Sequence, residues 1–350
     1  WYTDADSNAH EHVKFVGNHD IGRVGLDIVN ANPGADDTEL TARAELAQAL
    51  NFLTRGRPTV YYGDEQGFVG DGGDQDARQD MFPSLVPSYN DDDLIGTDAT
   101  TADANFDLTH PLFAAISDFA TIRSNHPVLQ TGSQIGRSAS GSAGVFAFSR
   151  IGDDGAGGTV EYVVALNNSE APASATFGTD TSDATWTPVL GANGAISDGD
   201  GNLTVDVPAL GAVVLRADAT VDTDSSATIA MIEPAAGSEL TGRIPVSADV
   251  VDGGFAAVTF AVSVDGGDYS VIGTDDNAPY RVYHDVSDLP VGATVTYKAI
   301  VEDAGGNLAS DKVSALVGEE VVPEPPSDLP YAIVHYLRDD GDYGDETTGD

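Results

Sequence analysis

The sequence contains no cysteine and few basic residues. Only 15 Lys and Arg stand against 57 Asp and Glu, which gives a formal net charge of -42 over 350 residues. Without cysteine the chain has neither a disulfide framework nor a thiolate metal site. Its negative charge excludes nucleic acid and anionic membranes as partners, since both would repel it. No apolar run approaches the ~18 residues of a membrane span, and nothing in the sequence indicates a protein partner.

Apolar residues are nevertheless plentiful and regularly spaced. They make up 41% of the chain, which is enough to build packed cores rather than a disordered acidic polymer. We therefore expect the acidic side chains to lie on solvated surface. The length allows two to four domains.

Strand and helix patterns alternate in the first 137 residues. Residues 12–16 and 59–62 are predicted as strands, and each is followed by polar turn residues. A Gly- and Asp-rich loop of about forty residues follows the second strand, and a last helix begins near Pro111. Two strand–loop–helix units in succession predict a parallel sheet.

The helix between these strands has recognisable ends. Asp36 with Glu39 three residues later predicts its start, and Gly56 predicts its end. Three apolar residues are predicted to share one face of this helix: Leu46, Leu50 and Leu53.

The helical period disappears beyond Arg137. Short apolar or alternating runs between turn residues predict a small antiparallel sandwich at residues 144–149, 162–166, 203–207 and 212–215. A second group of runs predicts an immunoglobulin-like sandwich at residues 244–250, 258–264, 280–286 and 294–301. We predict these boundaries: 1–137 for the α/β region, 138–217 for the first sandwich, 218–226 for a linker, 227–318 for the second sandwich, 319–330 for a Pro-rich acidic linker, and 331–350 for the start of another domain.

The segment FVGNHD at residues 15–20 places an imidazole and a carboxylate at the C-terminal end of a predicted parallel strand. In β/α barrels, polar residues at that end face the active site. A fixed carboxylate such as Asp20 suits glycosidic cleavage, because the transition state is cationic and oxocarbenium-like. The imidazole of His19 is able to hydrogen-bond sugar hydroxyls. The alternative is that both residues only cap the loop.

Three motifs occur in order: YTDADSN at residues 2–8, FVGNHDIGR at 15–23 and GRPTVYYGDE at 56–65. Together they resemble glycoside hydrolase family 13, the α-amylase and pullulanase clan, over about residues 1–217. The resemblance implies that the first region is the last two β/α units of a (β/α)8 barrel, followed by all-β sandwich domains. It also implies a secreted, extracellular protein that acts on starch or a related α-glucan without an organic cofactor.

The resemblance assigns roles to four residues. Asp20 matches the aspartate that stabilises the transition state, and His19 matches the histidine that contacts the sugar beside the scissile bond. Asn18 belongs to the same substrate-binding turn, where shaping the loop is its favoured role. Arg78 is placed near the substrate cleft.

The family retains anomeric configuration with an aspartate nucleophile and a glutamate acid/base. Both are expected upstream of Trp1, because a full barrel takes ~250 residues. We therefore expect this polypeptide alone to be inactive.

Two further segments carry weaker signals. The aspartates at residues 70–81 are oxygen donors of the kind that calcium takes, and the family often holds that ion, although an acidic solvated loop is the alternative. Residues 331–343 resemble the opening of a pullulanase-associated starch-binding module. Three readings of function remain open: an α-glucan hydrolase, a debranching enzyme or transglycosylase of the same family, and a non-catalytic adhesion protein.

Overall fold

The computed structural model describes residues 11–70, 73–155, 158–223 and 226–319, which form one α/β region and two β-sandwiches. The motif at residues 2–8, most of the linker at 319–330 and the segment 331–350 lie outside the described residues. No helix in the part of the chain that the structure describes is long and apolar enough to cross a membrane.

The α/β region contains two short parallel strands and the helices that connect and follow them. Strand β1 (Val13–Lys14) pairs in parallel with β2 (Arg57–Pro58), and Val13 lies opposite Arg57. The four helices are α1 (Val24–Ala31), α2 (Asp37–Leu53), α3 (Pro111–Asn125) and α4 (Val128–Thr131). The predicted parallel pairing is therefore confirmed.

Helix α2 begins where the sequence predicts. The Asp36 side chain accepts a hydrogen bond of 2.9 Å from the Glu39 amide, which satisfies one of the free N–H groups at the helix start. Its predicted apolar face is partly wrong: Leu53 is fully buried, but Leu50 is 43% exposed. Ala49 and Phe52 are buried with Leu53 instead, because this side of the helix faces α3 and the first sandwich.

Helix α1 was not predicted, because Gly25 and its β-branched neighbours are weak helix formers. The glycine has a packing reason: a Cβ at this position would lie 2.5 Å from the carbonyl oxygen of Phe68. The strand predicted at residues 59–62 is also wrong. The residues that pair with β1 are Arg57 and Pro58, which form β2 and precede the predicted strand. The last backbone hydrogen bond of the pair is donated by the Thr59 amide to the Lys14 carbonyl, at 2.8 Å.

The first sandwich has a six-stranded antiparallel sheet covered on one face by a two-stranded sheet. The large sheet has the order β3-β4-β5-β10-β7-β8, and β6 pairs with β9. The strands are β3 (Ser133–Ala139), β4 (Val145–Asp153), β5 (Thr159–Asn167), β6 (Ala173–Gly178), β7 (Thr185–Leu190), β8 (Ala195–Ile196), β9 (Asn202–Val207) and β10 (Gly211–Thr220). The predicted strands are confirmed. Strand β3 runs across the boundary predicted at residue 137.

Strand β5 is buried along nearly its whole length because both faces of the large sheet are covered. Val163 and Ala165 contribute to a core with Trp186 under β6 and β9. Tyr162 and Val164, on the opposite face, belong to a core shared with α2 and α3. The α/β region and the first sandwich are thus joined by one hydrophobic core.

The second sandwich packs a three-stranded sheet, β11-β13-β16, on a five-stranded sheet, β12-β18-β17-β14-β15. It has its own core, which includes Phe260 and Tyr297. Its strands are β11 (Thr228–Glu233), β12 (Glu239–Leu240), β13 (Arg243–Val251), β14 (Ala256–Val264), β15 (Ser270–Asp275), β16 (Arg281–Asp285), β17 (Thr294–Asp303) and β18 (Leu308–Val317).

The linker predicted at residues 218–226 is partly wrong. Strand β10 continues through Thr220, and Val221 is buried. The Asp218 carboxylate accepts a hydrogen bond of 2.9 Å from the Thr185 amide, and the Asp222 amide donates to the Asp180 carbonyl at 2.7 Å. Polar composition suggested a free segment, but these aspartates serve as hydrogen-bonding partners for the sandwich.

Candidate functional site

The turn that follows β1 is held by its own asparagine. The Asn18 Oδ1 atom accepts hydrogen bonds from the backbone amides of Asp20, at 2.8 Å, and Ile21, at 3.2 Å. This local pairing is typical of asparagine in turns. These hydrogen bonds fix the backbone that carries His19 and Asp20. The side-chain oxygen of Asn18 is therefore occupied within the turn.

The structure brings together all four residues predicted for the site. His19 Nε2 lies 3.1 Å from Asp20 Oδ1, and Arg78 Nη2 lies 3.9 Å from the same oxygen. The Arg78 Nε atom donates to the His19 carbonyl at 3.3 Å. Arg78 comes from the long loop after β2, so two loops at the same end of the parallel strands meet here.

The cluster is open to solvent. The side chains of His19 and Asp20 are 59% and 67% exposed, and that of Arg78 is 47% exposed. Arg78 also lies 3.5 Å from the Asp74 carboxylate, four residues before it. The polar groups therefore point outward, where a bound molecule would reach them.

A fully buried ion pair lies in the same two loops. Arg23, three residues after Asp20, donates through Nη1 to Asp64 Oδ1 at 3.0 Å and to the Tyr62 carbonyl at 2.8 Å. Its guanidinium also lies over three aromatic rings, those of Tyr61, Tyr62 and Phe68, at 4.5, 5.3 and 5.0 Å. Arg23 thus connects the turn after β1 to the turn after β2.

The buried pair is not fully hydrogen-bonded. Among the described residues, Arg23 Nε and Nη2 and Asp64 Oδ2 have no partner. Burial raises the pKa of Asp64 to about 6, although Arg23 opposes this shift. Removing either partner would leave the other ion enclosed in apolar surroundings, so the two connected turns depend on the pair.

Tyr62 and Glu65 complete the turn after β2. Burial, together with a side-chain hydrogen bond to Tyr61, raises the pKa of Tyr62 to about 12, so its hydroxyl keeps its proton at neutral pH. The Glu65 carboxylate accepts a hydrogen bond of 2.9 Å from the Gly63 amide. Glu65 therefore has a structural role in shaping this turn.

Three cations surround the C-terminal end of α2, next to β1. Lys14 Nζ donates to the Thr54 carbonyl at 2.6 Å, and Arg123 donates to the Phe52 carbonyl at 2.9 Å. Arg150, which is fully buried, donates to the Leu53 carbonyl at 3.2 Å. Such groups satisfy the free carbonyls of a helix end. Burial, followed by the charges of Arg123 and Arg150, lowers the pKa of Lys14 to about 7.

This lowered pKa predicts a pH dependence of stability. Between pH 7 and pH 10 the unfolded chain binds a proton at Lys14 that the folded chain does not bind, so stability rises with pH across that window. We expect the free energy of unfolding to rise by roughly 2 kcal/mol, a value discounted for the partial exposure of Lys14. The Lys14→Met variant should lack this rise. The measurement is urea unfolding at pH 7 and pH 9.5, followed by circular dichroism at 222 nm. Lys312 is exposed, so the Lys312→Met variant serves as the control and should keep the rise. An equal rise in the Lys14→Met variant would contradict the prediction.

The loop at residues 70–81 is where the sequence predicts calcium. Asp71 lies outside the described residues, and no group of three or more His, Asp or Glu side chains elsewhere in the described ranges is arranged to hold a metal. Asp74 pairs with Arg78, and Asp76 begins a 3₁₀ turn. Calcium at this loop stays a prediction.

A cavity of about 570 Å³ lies elsewhere, between α1, α2 and the first sandwich. Its floor includes Leu46, Leu50 and Phe146, and none of the four predicted site residues lines it. The chemistry-bearing side chains and this cavity are thus separate features of the fold.

The fold and the polar cluster define a modular protein, in which one α/β region carries the site and two β-sandwiches follow. Residues 1–132 match the family described as "Alpha amylase, catalytic domain", residues 139–218 match "Alpha amylase, C-terminal all-beta domain", and residues 228–299 match "Bacterial Ig domain". Over residues 1–132 and 139–218 the chain belongs to the α-amylase family, glycoside hydrolase family 13.

Individual proteins resemble the chain over longer stretches. An α-amylase from Streptomyces lividans is 44% identical over 315 residues, which are 89% of this chain and 34% of that protein. A cyclomaltodextrin glucanotransferase from Bacillus licheniformis is 31% identical over 218 residues, 61% of this chain and 25% of that protein. The crystal structure of an Anoxybacillus α-amylase matches with a TM-score of 0.45 at 19% identity, covering 61% of this chain and 39% of that chain. The chain spans about a third of the length of the Streptomyces relative.

Sequence reasoning missed the Arg23–Asp64 pair. Both residues belong to motifs described above, but 41 positions separate them in the sequence. A charged residue in a motif is also more readily interpreted as exposed than as buried. The available signal was the aromatic run Tyr61-Tyr62 beside Asp64, since aromatic faces are preferred surroundings for a buried guanidinium.

Proposed function

We propose that the chain is part of a secreted, retaining α-glucan hydrolase of the α-amylase type that acts on starch or related α-glucans. The observation that carries this proposal is the convergence of Asn18, His19, Asp20 and Arg78 at the C-terminal end of β1. The names of the relatives, an α-amylase and a cyclomaltodextrin glucanotransferase, support α-glucan chemistry. The secreted location rests on the family and on the types of domain.

The proposed chemistry follows from the positions of these groups. Glycosidic cleavage passes through a cationic sugar ring, which the exposed Asp20 carboxylate stabilises. The imidazole of His19 and the guanidinium of Arg78 provide N–H groups next to that carboxylate, able to bind sugar hydroxyls. Asn18 holds the turn, so its substrate contact is indirect.

The proposal includes a partial (β/α)8 barrel for the α/β region. Support comes from the parallel pairing of β1 and β2, from the helix between them, and from the position of the polar cluster at the strand ends. Val13 and Phe15, on and just after β1, are 61% and 46% exposed. Apolar side chains of this kind face neighbouring strands and helices in a closed barrel.

We expect the purified chain alone to release no reducing sugar from soluble starch, because Asp20 is the one carboxylate in it that matches the catalytic set of the family. The test compares the chain with a chimera in which it replaces the aligned region of the Streptomyces α-amylase. The chimera should release reducing sugar, since the pair of sequences is 44% identical across the region exchanged. Starch hydrolysis by the chain itself, with host enzymes excluded by a mock purification, would refute the inactivity.

The similarity to a cyclomaltodextrin glucanotransferase favours a transglycosylase as the second candidate. The same site residues would serve both reactions, since either water or a sugar hydroxyl completes the second step of a retaining mechanism. Chromatography of the chimera's products separates them, because hydrolysis gives linear maltooligosaccharides, whereas intramolecular transfer gives cyclic ones.

A further inference from the structure

Arg150 places a full positive charge next to the core that the α/β region shares with the first sandwich. Its side chain is fully buried. The guanidinium donates to the backbone carbonyls of Leu53, Leu129 and Gly132, at 3.2, 3.0 and 2.8 Å. These bonds satisfy its N–H groups, but a neutral carbonyl does not cancel the charge. The ion pairs of the described residues do not include Arg150. A buried ion without a counter-ion is costly to the fold.

Two other cations make this burial more costly. Lys14 and Arg123 also donate to carbonyls at the end of α2, so three positive charges share one helix end. We call Lys14, Arg123 and Arg150 the α2 cation cluster. Like charges repel strongly where burial excludes water. Burial, followed by the charges of Arg123 and Arg55, lowers the pKa of Arg150 to about 9. A carboxylate placed near the α2 cation cluster would therefore stabilise the folded chain.

The second sandwich supplies such a carboxylate. Asp276 lies in the turn after β15, and its side chain accepts a hydrogen bond from the Ser133 hydroxyl at the start of β3. Ser133 directly follows Gly132, whose carbonyl oxygen accepts from two nitrogens of the Arg150 guanidinium. Burial is the largest influence on the pKa of Arg150 and lowers it, whereas the Asp276 charge raises it. Asp276 thus acts on Arg150 across the boundary between the two sandwiches.

The boundary between the two sandwiches is polar. None of the hydrophobic cores of the described residues crosses it. Burial raises the pKa of Asp275, next to Asp276, and the Arg55 charge opposes this shift. Residues 227–318 contain 13 Asp and Glu but four Lys and Arg, so the second sandwich is attracted to the place where cations are concentrated. Electrostatic attraction, rather than shared apolar packing, therefore favours the docking of the second sandwich.

We propose that Asp276 is the counter-charge of the buried Arg150, and that docking of the second sandwich stabilises the core shared by the α/β region and the first sandwich. The docking surface is the start of β3 together with the α2 cation cluster, and its partner is the acidic turn at residues 275–276 of the same chain. The two parts are then thermodynamically coupled, although each has a hydrophobic core of its own. Loss of the Asp276 charge should therefore destabilise the helices of the α/β region.

Thermal melting of the full chain tests this coupling when it is followed by circular dichroism at 222 nm, which reports on the helices of the α/β region. We expect Asp276→Asn to lower the melting temperature by roughly 2–4 °C at low salt, and by less in about 1 M NaCl, where charges are screened beyond ~3 Å. Asp288→Asn makes the same change of charge at an exposed position of the same sandwich, so it is the matched control and should leave the melting temperature unchanged. Ser133→Ala should lower the melting temperature less than Asp276→Asn does, because it removes the hydrogen bond but keeps the carboxylate.

The lack of cysteine in the chain makes the docking itself measurable. Nitroxide labels on a Ser142→Cys/Ser310→Cys variant occupy exposed positions of the first and the second sandwich. Double electron–electron resonance then measures the distance between the two labels. We expect one narrow distance distribution, which the additional Asp276→Asn substitution broadens.

Three results would overturn the proposal. The first is an equal melting temperature of the Asp276→Asn and Asp288→Asn variants at low salt. The second is a Ser133→Ala variant that is destabilised as much as Asp276→Asn, which would show that the hydrogen bond rather than the charge stabilises the contact. The third is a broad distance distribution in the labelled chain that keeps Asp276, which would show that the second sandwich does not dock.

Discussion

The Asp20→Asn variant of the chimera should hydrolyse soluble starch with a kcat lower by roughly 10²–10³-fold, the loss seen when one preorganised stabilising group is removed. The substitution keeps the shape of the side chain but removes the charge that faces the cationic sugar ring. KM should change little, because the lost interaction forms mainly in the transition state. Initial rates of reducing-sugar release across a range of starch concentrations separate the two parameters.

Asp118→Asn is the matched control for this experiment. It makes the same change of charge on the exposed surface of α3, away from the cluster. Its activity should equal that of the unmodified chimera. If the Asp20→Asn chimera hydrolyses starch as fast as this control does, Asp20 is not the stabilising carboxylate, and the proposed function loses its main support.

The second large effect concerns stability. We expect Asp64→Asn to lower the free energy of unfolding of the α/β region by about 3–5 kcal/mol, because it leaves the fully buried guanidinium of Arg23 without its carboxylate. Urea unfolding followed at 222 nm measures the change, since every described helix lies between residues 24 and 131.

The exposed pair between Arg57 and Glu11 provides the comparison. Both side chains are 63% exposed, so Glu11→Gln should change stability by less than about 1 kcal/mol. Combining Arg23→Met with Asp64→Leu should recover much of the loss, because an apolar pair leaves no unpaired ion. Equal effects of Asp64→Asn and Glu11→Gln would show that the buried pair does not hold the two turns together.

Much of the fold is readable from local pattern. The start of α2 was predictable because Asp36 and Glu39 satisfy helix N–H groups locally, and the strands of both sandwiches follow from alternation between turn residues. Helix α1 was not predictable, because its glycine is selected by contact with Phe68, which is distant in sequence. The structure of residues 218–222 was not predictable for a similar reason: the Asp218 carboxylate accepts from the Thr185 amide of β7, a partner that composition does not reveal.

The candidate site also has residues that the sequence predicts and residues that it does not. Asn18, His19 and Asp20 came from a motif and Arg78 from the resemblance of the long loop, and the structure places Arg78 beside His19 and Asp20. The pairing of Arg23 with Asp64 is harder to predict, because it depends on two loops that meet only through the parallel strands.

The core shared by α2, α3 and the first sandwich determines where the chain can be divided into parts that fold separately. A recombination breakpoint near residue 132 would cut through a single hydrophobic unit, in which Phe52 and Phe119 pack with Tyr162 and Val164. The second sandwich encloses a core of its own, so it is able to move between proteins as a cassette. Exchange of parts is therefore expected at the junction before residue 227, whereas the α/β region and the first sandwich are expected to be inherited together.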